Sequence, residues 1–434
     1  MKTKEVRLGW IQNIPVDWDV KKIKYLVNRL NEEPCKDDEV ITAFRDGQVT
    51  LRKNRREDGF TFSLKEIGYQ HINKGNLVVH QMDAFAGAIG ISDSDGKGSP
   101  VYTVCEERNP QEIYLLYLSY QLKVMSQVGY IQSLAKGIRE RSTDFRWNDM
   151  GNLYVALPSF ELQKKIVNYL EQKITDINKL ILYLEKCIEL LFKQRQSIIT
   201  ETVTKGLNPN VKMKDSGVKW IGEIPEHWEV KKLKNLGKFV GGYAFPSNSF
   251  VNNGIKVIKI NNIQTMYLDW SDISYVTDDW LVKLNQYQVK KGDLVIALTR
   301  PIISTGIKAA IVDTDELLLL NQRNAYFRSN ERIPSNWLYY LVLNQYFIEE
   351  FESLIDRTGQ QPNISANAIE NIKIPLPNSE EIQQITKYLD KKTIEIEELK
   401  VTILTQVSKL KEYRQSLIYE AVTGKIDVRD MELD

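Results

Sequence analysis

WIQNIPVDWDVKKIKYL, residues Trp10 to Leu26, returns as WIGEIPEHWEVKKLKNL at Trp220 to Leu236, with ten of the seventeen positions identical. Chance does not produce such a match, and the chain reads as a duplication. A second pair opens with LPSFELQKKIVNYLEQK (Leu157 to Lys173) and LPNSEEIQQITKYLDKK (Leu376 to Lys392), and runs on to RQSIITETVTKG (Arg195 to Gly206) and RQSLIYEAVTGK (Arg414 to Lys425). Each copy is thus an opening motif, a middle of roughly 130 residues, an LP dipeptide and a long segment of mixed polarity. The two middles show no visible match. A constant frame around divergent middles points to two related readers of different targets, although duplication followed by drift leaves the same trace.

The long segments have a helical period. Val167, Leu170, Ile174, Ile177, Ile181, Leu184, Ile188 and Leu191 alternate by three and four residues, the a/d pattern of a coiled coil. In the second copy Leu389, Ile396, Ile403, Leu410 and Leu417 keep one register, while Thr386, Thr393 and Lys400 weaken the other. Pro158 and Pro377 suit helix starts, and Gly206 and Gly424 suit helix exits. A helix of about 40 residues spans about 60 Å at 1.5 Å per residue. Two matching stripes favour mutual antiparallel packing with approximate two-fold symmetry, the two middles lying at opposite ends.

The middles read as mixed α/β. β-branched and apolar runs bounded by Gly and Asn, as in GIKVIKINNI (Gly254 to Ile263), KKGDLVIALTRP (Lys290 to Pro301) and KGNLVVHQMDAFAGAIGIS (Lys74 to Ser92), predict strands. NPQEIYLLYLSYQLKVM (Asn109 to Met125) and SNWLYYLVLNQYFIEEF (Ser335 to Phe351) predict helices late in each middle. The expected fold is therefore α+β. Its parts are a first globular domain over 1–156, a spacer helix over 157–206, a second globular domain over 207–375, and a second spacer helix with a tail over 376–434.

Of 434 residues, 42% are hydrophobic and 26% charged, with 21 Tyr, 13 Phe and 8 Trp, so sizeable cores form and disorder as the main state is excluded. Lys and Arg number 58 against 57 Asp and Glu, a net charge of +1, so any polyanion site must be a local patch. Cys35, Cys105 and Cys187 are far apart, without a CxxC pair or a nearby histidine, and His71, His80 and His227 form no ligand cluster in sequence. Neither a disulfide framework nor a metal is expected. MKTKEVRLGW lacks an apolar leader core, and no apolar run approaches about 18 residues, so a soluble cytoplasmic protein is expected.

Searches for catalytic signatures find none. Gly90 to Gly96-Lys97 has five intervening residues and then Gly98, which misses the P-loop spacing. Asp93-Ser94-Asp95-Gly96 misses the calcium-loop spacing. No GxSxG, HExxH, glycine-rich cofactor loop or Asn-Pro-Pro-aromatic signature is present, and Glu229 with Lys231 only echoes a nuclease motif. A non-catalytic chain is expected, with no cofactor and no metal of its own.

Basic and amide-rich patches remain. Arg52, Lys53, Arg55 and Arg56 put four cations in five residues, and Lys136, Arg139, Arg141 and Arg146 add more in the same middle. Such groups neutralise phosphates, and Arg also pairs bidentately with guanine. In the second middle Arg300, Gln322, Arg323, Arg357, Gln360, Gln361 and Asn363 offer the groups that read guanine and adenine edges, and Gly242-Tyr243 and Gly359 mark bends that allow close approach. Each cluster alone also fits a solvated face, and a coiled-coil scaffold that binds proteins rather than DNA stays open at this point.

The ordered set WIGEIPEHWEVKKLKNL, GGYAFPSNSFVNNGIKVIKINNI, GDLVIALTRP, LLLNQRNAYF, GQQPNIS and IPLPNSEEIQQITKYLDKK resembles the DNA specificity subunit of type I restriction-modification systems. The resemblance covers essentially the whole chain. It implies two target recognition domains, each reading one half of a bipartite asymmetric sequence in double-stranded DNA, separated by two long antiparallel helices that set the unread spacer. It implies no catalysis by this chain. Its partners would be two methyltransferase subunits using S-adenosylmethionine and, where present, two motor-nuclease subunits using ATP and Mg²⁺, with no membrane involved. AFRDGQVTLRKNRREDGF and GIRERSTDFRW in the first middle depart from GGYAF and GQQPNIS in the second, so base-contacting residues do not transfer between copies.

Overall fold

The structure is a computed structural model describing residues 2–55, 67–134, 144–330, 333–429 and 431. It contains two helices of exceptional length, Phe160–Lys205 with 46 residues and Ser379–Val422 with 44. The chain forms two compact units. Met1–Leu184 joins Thr405–Asp434 in the first, and Glu185–Leu404 makes the second, so each long helix is divided between them. The reason lies in packing: the two halves of each helix contribute to different cores.

In the second unit the core takes Ile199 and Val203 from the end of one long helix and Ile382, Ile385 and Leu389 from the start of the other. They pack with Trp228, Trp337, Phe347 and Phe351. In the first unit, Val167, Leu170, Ile177 and Ile181 are buried on one helix and Val407 and Leu417 on the other, and Arg414 donates to the Asn178 side chain between them. The heptad stripe is therefore the covered face in both units. Its polar positions have local partners. The buried Thr386 hydroxyl donates to the Ile382 carbonyl at 2.7 Å, Thr393 bonds the Tyr340 hydroxyl, and Lys400 pairs with Glu397 at 2.7 Å.

The two middles, divergent in sequence, share one topology. In the first unit a fully antiparallel four-stranded sheet runs in the spatial order Val27–Leu30, Tyr102–Glu107, Leu77–His80, Ile89–Ile91. In the second the order is Gly237–Gly241, Asn324–Ser329, Leu294–Ala297, Ala309–Ile311. Registers also match, with Leu77 opposite Cys105 and His80 opposite Tyr102 in one, and Leu294 opposite Phe327 and Ala297 opposite Asn324 in the other. A short signature marks the shared strand: Lys74-Gly75-Asn76-Leu77-Val78 against Lys291-Gly292-Asp293-Leu294-Val295. Both glycines are left-handed, at φ +93° and +87°, and the Asn76 and Asp293 side chains each accept an amide three residues back at 2.8 and 2.7 Å. The middles do not visibly match in sequence, but the helix predicted late in each points to a shared architecture, and the matching sheets agree with it.

Burial on both faces explains the continuous apolar run at Leu294–Ala297. Alternate residues point to opposite faces. Leu294 and Ile296 join the core with the helix Ser335–Val342, whereas Val295 meets Ala310, Tyr326, Leu318 and Leu320 on the other face. There a five-stranded sheet pairs Ile255–Ile258 in parallel with Leu318–Leu320. Asp293, 4% exposed, closes the strand start with a bidentate pair to Arg328 at 2.6 and 2.8 Å, and the hydrogen bonds to its carboxylate raise the guanidinium pKa. Gly90 and Gly96 are buried strand residues rather than turns, in Ile89–Ile91 and Gly96–Gly98, and serve packing: an added methyl would lie 2.1 Å from the Gly47 carbonyl and 2.5 Å from that of Glu39.

Each opening motif pairs with the strand that leads into a long helix, Asp19–Lys22 with Tyr154–Leu157 and Glu229–Lys232 with Lys373–Leu376. Asn378 caps the second helix, accepting from the Glu381 amide at 2.9 Å, and Glu381 also takes the Trp228 indole N–H at 3.2 Å. The first copy has Leu162 at the position of Glu381, and among the described residues the buried Trp18 indole nitrogen has no hydrogen-bond partner.

Each helix exit turns through a left-handed glycine packed on a tryptophan. Gly206, φ +77°, faces Trp228 in the second unit, and Gly424, φ +72°, faces Trp18 and Pro15 in the first. At Gly424 the bonds Gly424 N–H to Ala421 O and Lys425 N–H to Glu420 O form a Schellman closure. A methyl on Gly424 would lie 2.5 Å from the Pro15 ring, against 3.2 Å from Trp228 for one on Gly206. Gly206→Ala should cost about 1 kcal/mol, from the left-handed backbone alone. Gly424→Ala should cost about 2 kcal/mol or more, because overpacking adds to that strain. Urea unfolding of the two variants checks the order, and equal costs would contradict it.

Candidate nucleic-acid interface

Four segments far apart in sequence meet at one end of the four-stranded sheet of the second unit. Strand Gly237–Gly241 leaves the sheet there into Gly242-Tyr243, and Leu294–Ala297 leaves into Leu298, Thr299 and Arg300. Strand Asn324–Ser329 enters from Asn321, Gln322 and Arg323. The Gly242 amide donates to Asn324 O and that of Tyr243 to Leu320 O, both at 2.8 Å, while Leu298 N–H donates to Arg323 O at 2.8 Å. The fourth segment is locked on by Arg300 N–H to Pro362 O at 2.8 Å, Ile364 N–H to Leu298 O at 2.9 Å, and the Thr299 hydroxyl to Asn363 Oδ1 at 2.6 Å.

The residues proposed from sequence divide by environment. Arg300, Gln322, Arg323 and Gln360 are exposed, and among the described residues no acceptor holds the guanidinium of Arg300 or Arg323. Arg300 also adopts φ +46°, a left-handed conformation that costs a side-chain-bearing residue about 1 kcal/mol or more. Asn363 is committed to the loop itself, through Thr299 and the Gln361 carbonyl. Gln361 is half-buried, and Arg357 is exposed and paired with Glu352 at 2.6 Å. Gly242 is required by close approach, since a methyl would lie 2.1 Å from the Asn321 carbonyl. Tyr243 is half-buried in a ring cluster with Phe245, Trp280 and Tyr287 at centroid distances of 5.2 to 5.8 Å.

The first unit repeats the scaffold with different side chains. Gln81 N–H donates to Val101 O and Phe145 N–H to Gln81 O, the same two bonds made by Leu298 and Ile364. Asp83 therefore stands where Arg300 stands, and Arg146 follows Phe145 as Ser365 follows Ile364. Asp83 is paired with Arg45 at 2.8 Å, a cation outside the basic runs of the sequence and directly followed by Asp46. His80 beside it is held below its ordinary titration range, chiefly by burial. Lys53 pairs with Glu39, Arg55 with Asp46 at 2.7 Å while lying over the Phe44 ring, and Arg146 with Asp144 at 2.7 Å. Arg52 is half-buried with its Nε donating to Thr42 at 3.3 Å. Arg56, Lys136, Arg139 and Arg141 lie outside the described residues. In chain order the last three precede Phe145 much as Arg357 to Pro362 precede Ile364.

Exposed ion pairs of this kind contribute little to stability, about 0–1 kcal/mol each, so a phosphate can replace the carboxylate at small cost. Sequence spacing hid one further grouping. His71 is brought to Cys35 and Asp38, which lie three residues apart, with His71 Nδ1 at 2.6 Å from an Asp38 carboxylate oxygen. Among the described residues no helix is long and apolar enough to cross a membrane.

A family model described as the type I restriction modification DNA specificity domain matches residues 225–409. The MjaVIII specificity subunit of the type I restriction enzyme from Methanocaldococcus jannaschii is 32% identical over 426 residues, covering 96% of this chain and 95% of the relative. The putative MjaX specificity subunit from the same organism is 26% identical, with 96% of each chain covered. Among solved structures, a chain from a study of assembly and conformational transition of the type I R-M system shares the fold at TM-score 0.70 and 16% identity. The match covers 95% of this chain and 99% of that one. The HsdS subunit of Thermoanaerobacter tengcongensis does so at TM-score 0.54 and 18% identity, covering 95% and 98%. With its duplicated frame, its two matching sheets and a relative this similar along nearly its full length, the chain belongs to the family of type I restriction enzyme specificity subunits.

Proposed function

We propose that each unit reads one half of a bipartite, asymmetric double-stranded DNA target through the loops at one end of its four-stranded sheet. The observation that carries this reading is the convergence of Gly242, Arg300, Gln322-Arg323 and Gln360-Gln361 on one sheet end, with two guanidiniums unpaired among the described residues. Arg pairs bidentately with guanine and Gln or Asn with adenine, each worth about 1–3 kcal/mol of discrimination. Lys53, Arg55, Arg56, Arg146 and the cations at Lys136, Arg139 and Arg141 supply phosphate contacts, which position the protein and carry its salt dependence. The long helices set the gap of unread bases between half-sites.

The chain performs no chemistry of its own. Large apolar side chains stand exposed on the long helices, among them Leu182 and Tyr183 in the first unit and Ile394, Leu399 and Val401 in the second. Such surface calls for a protein partner, and two modification subunits that carry S-adenosylmethionine and methylate adenine fit it. Where a restriction system is complete, two motor-nuclease subunits using ATP and Mg²⁺ join them. The assembly works in the cytoplasm, where the host DNA is.

Co-expression with the modification subunit in a methylation-free host, followed by genome-wide mapping of N6-methyladenine, tests this. A bipartite motif with a fixed gap, absent without this chain, is the expected result, and methylation without a motif would refute it. Arg300→Gly separates recognition from folding, because glycine accepts φ +46° without strain. Its unfolding free energy should hold or rise, while affinity for the cognate duplex falls about 5- to 150-fold, the equivalent of one bidentate base contact. Unchanged affinity in competition binding would remove Arg300 from the interface.

A further inference from the structure

We propose that Cys35, Asp38 and His71 bind a divalent transition-metal ion of the zinc class in the first unit. One ligand atom from each, the thiol sulfur, a carboxylate oxygen and a ring nitrogen, lie within 4.8 Å of one another. Sulfur, imidazole and carboxylate are the donors that zinc prefers, and three protein ligands leave a fourth position for water.

Hydrogen bonding around His71 defines what its inner nitrogen faces. Asn73 donates through Nδ2 to the Glu32 carboxylate at 3.3 Å, and a carboxylate only accepts, so the Asn73 oxygen is the atom turned to His71 Nε2 at 3.1 Å. Nε2 therefore carries a proton. In the neutral ring Nδ1 is then a bare lone pair, set 2.6 Å from Asp38 Oδ2, which also accepts the Cys35 amide at 2.8 Å. At 2.6 Å the two atoms share a proton, and a metal ion would displace that proton and part them to about 3.4 Å, the edge of a tetrahedron built on zinc–ligand bonds of about 2.1 Å.

The surroundings are those of a ligand set. The Asp38 and His71 side chains are 9% and 14% exposed and held by hydrogen bonds, while Cys35 is exposed and able to turn its sulfur inward. Zinc–sulfur and zinc–nitrogen distances of about 2.3 and 2.1 Å need the donors closer together than 4.8 Å, and the Cys35 rotamer supplies that movement. The relay His71–Asn73–Glu32 is the outer shell that orients a ligating imidazole. The ion would tie the loop between Val27–Leu30 and Ile41–Ala43 to the strand Gln70–Ile72. This proposal is independent of DNA reading.

Titration of the full-length chain with Co²⁺, followed by competition with Zn²⁺, is the test. One equivalent of Co²⁺ should give visible d–d bands of tetrahedral intensity and a thiolate-to-cobalt band in the near ultraviolet, both abolished by Zn²⁺. Cys35→Ser should lose the thiolate band, whereas Cys187→Ser, on a long helix, should keep it. Asn73→Ala should weaken binding about 10- to 100-fold as an outer-shell loss. No bands in the wild type, or a thiolate band retained in Cys35→Ser, would overturn the proposal and leave a proton as the cation between His71 and Asp38. Thermal unfolding of Cys35→Ser without metal should match that of the wild type, which confirms that a lost band reflects a lost ligand.

Discussion

Two left-handed glycines, each set against the indole of an opening-motif tryptophan, are the contacts on which the rest depends. Gly206 on Trp228 turns the first long helix into the second unit. Gly424 on Trp18 and Pro15 brings the end of the second helix onto the beginning of the chain. The first unit is completed by the last residues: Tyr117 donates to the Val422 carbonyl at 3.3 Å, Lys165 to that of Arg429 at 3.2 Å, and Arg429 pairs with Asp17. Neither unit closes without half of each long helix, so the frame is conserved between copies while the middles are free to differ.

That freedom has a structural basis. A central strand buried on both faces needs apolar residues of suitable volume, which Leu77–Val79 and Leu294–Ile296 both provide. The loops at the sheet end need only make the same few backbone bonds, so Arg300 in one copy becomes Asp83 in the other. A common scaffold with exchangeable loop chemistry is what two readers of unrelated half-sites require.

Much of this is legible in the sequence. The duplication, the long helices, their stripe and the Gly206 and Gly424 exits follow from spacing alone, because helical period and left-handed glycine are local properties. A helix late in each middle hinted at shared architecture, but the strand order was hidden, since only Lys-Gly-Asx-Leu-Val survives of it and the remaining matches are of burial and register. The convergence of Gly242, Arg300, Gln322 and Gln361 was equally hidden, because tertiary hydrogen bonds rather than sequence proximity create it. Tyr243, which with Gly242 marks a bend in the sequence, stands half-buried in a ring cluster that no sequence spacing reveals. Cys35 and His71 looked isolated for the reverse reason: 35 intervening residues separate groups that the fold places side by side.

The central claim is that the sheet-end loops of each unit read one half-site and leave the other to its counterpart. The most direct measurement is selection of cognate duplexes from a library randomised in both half-sites, with the modification subunits present, for the wild type and for a variant carrying Gln360→Ala, Gln361→Ala and Arg323→Ala. The account requires relaxed preference at one half-site, with the other half-site and the gap unchanged. Equal relaxation of both half-sites, or none in either, would contradict it.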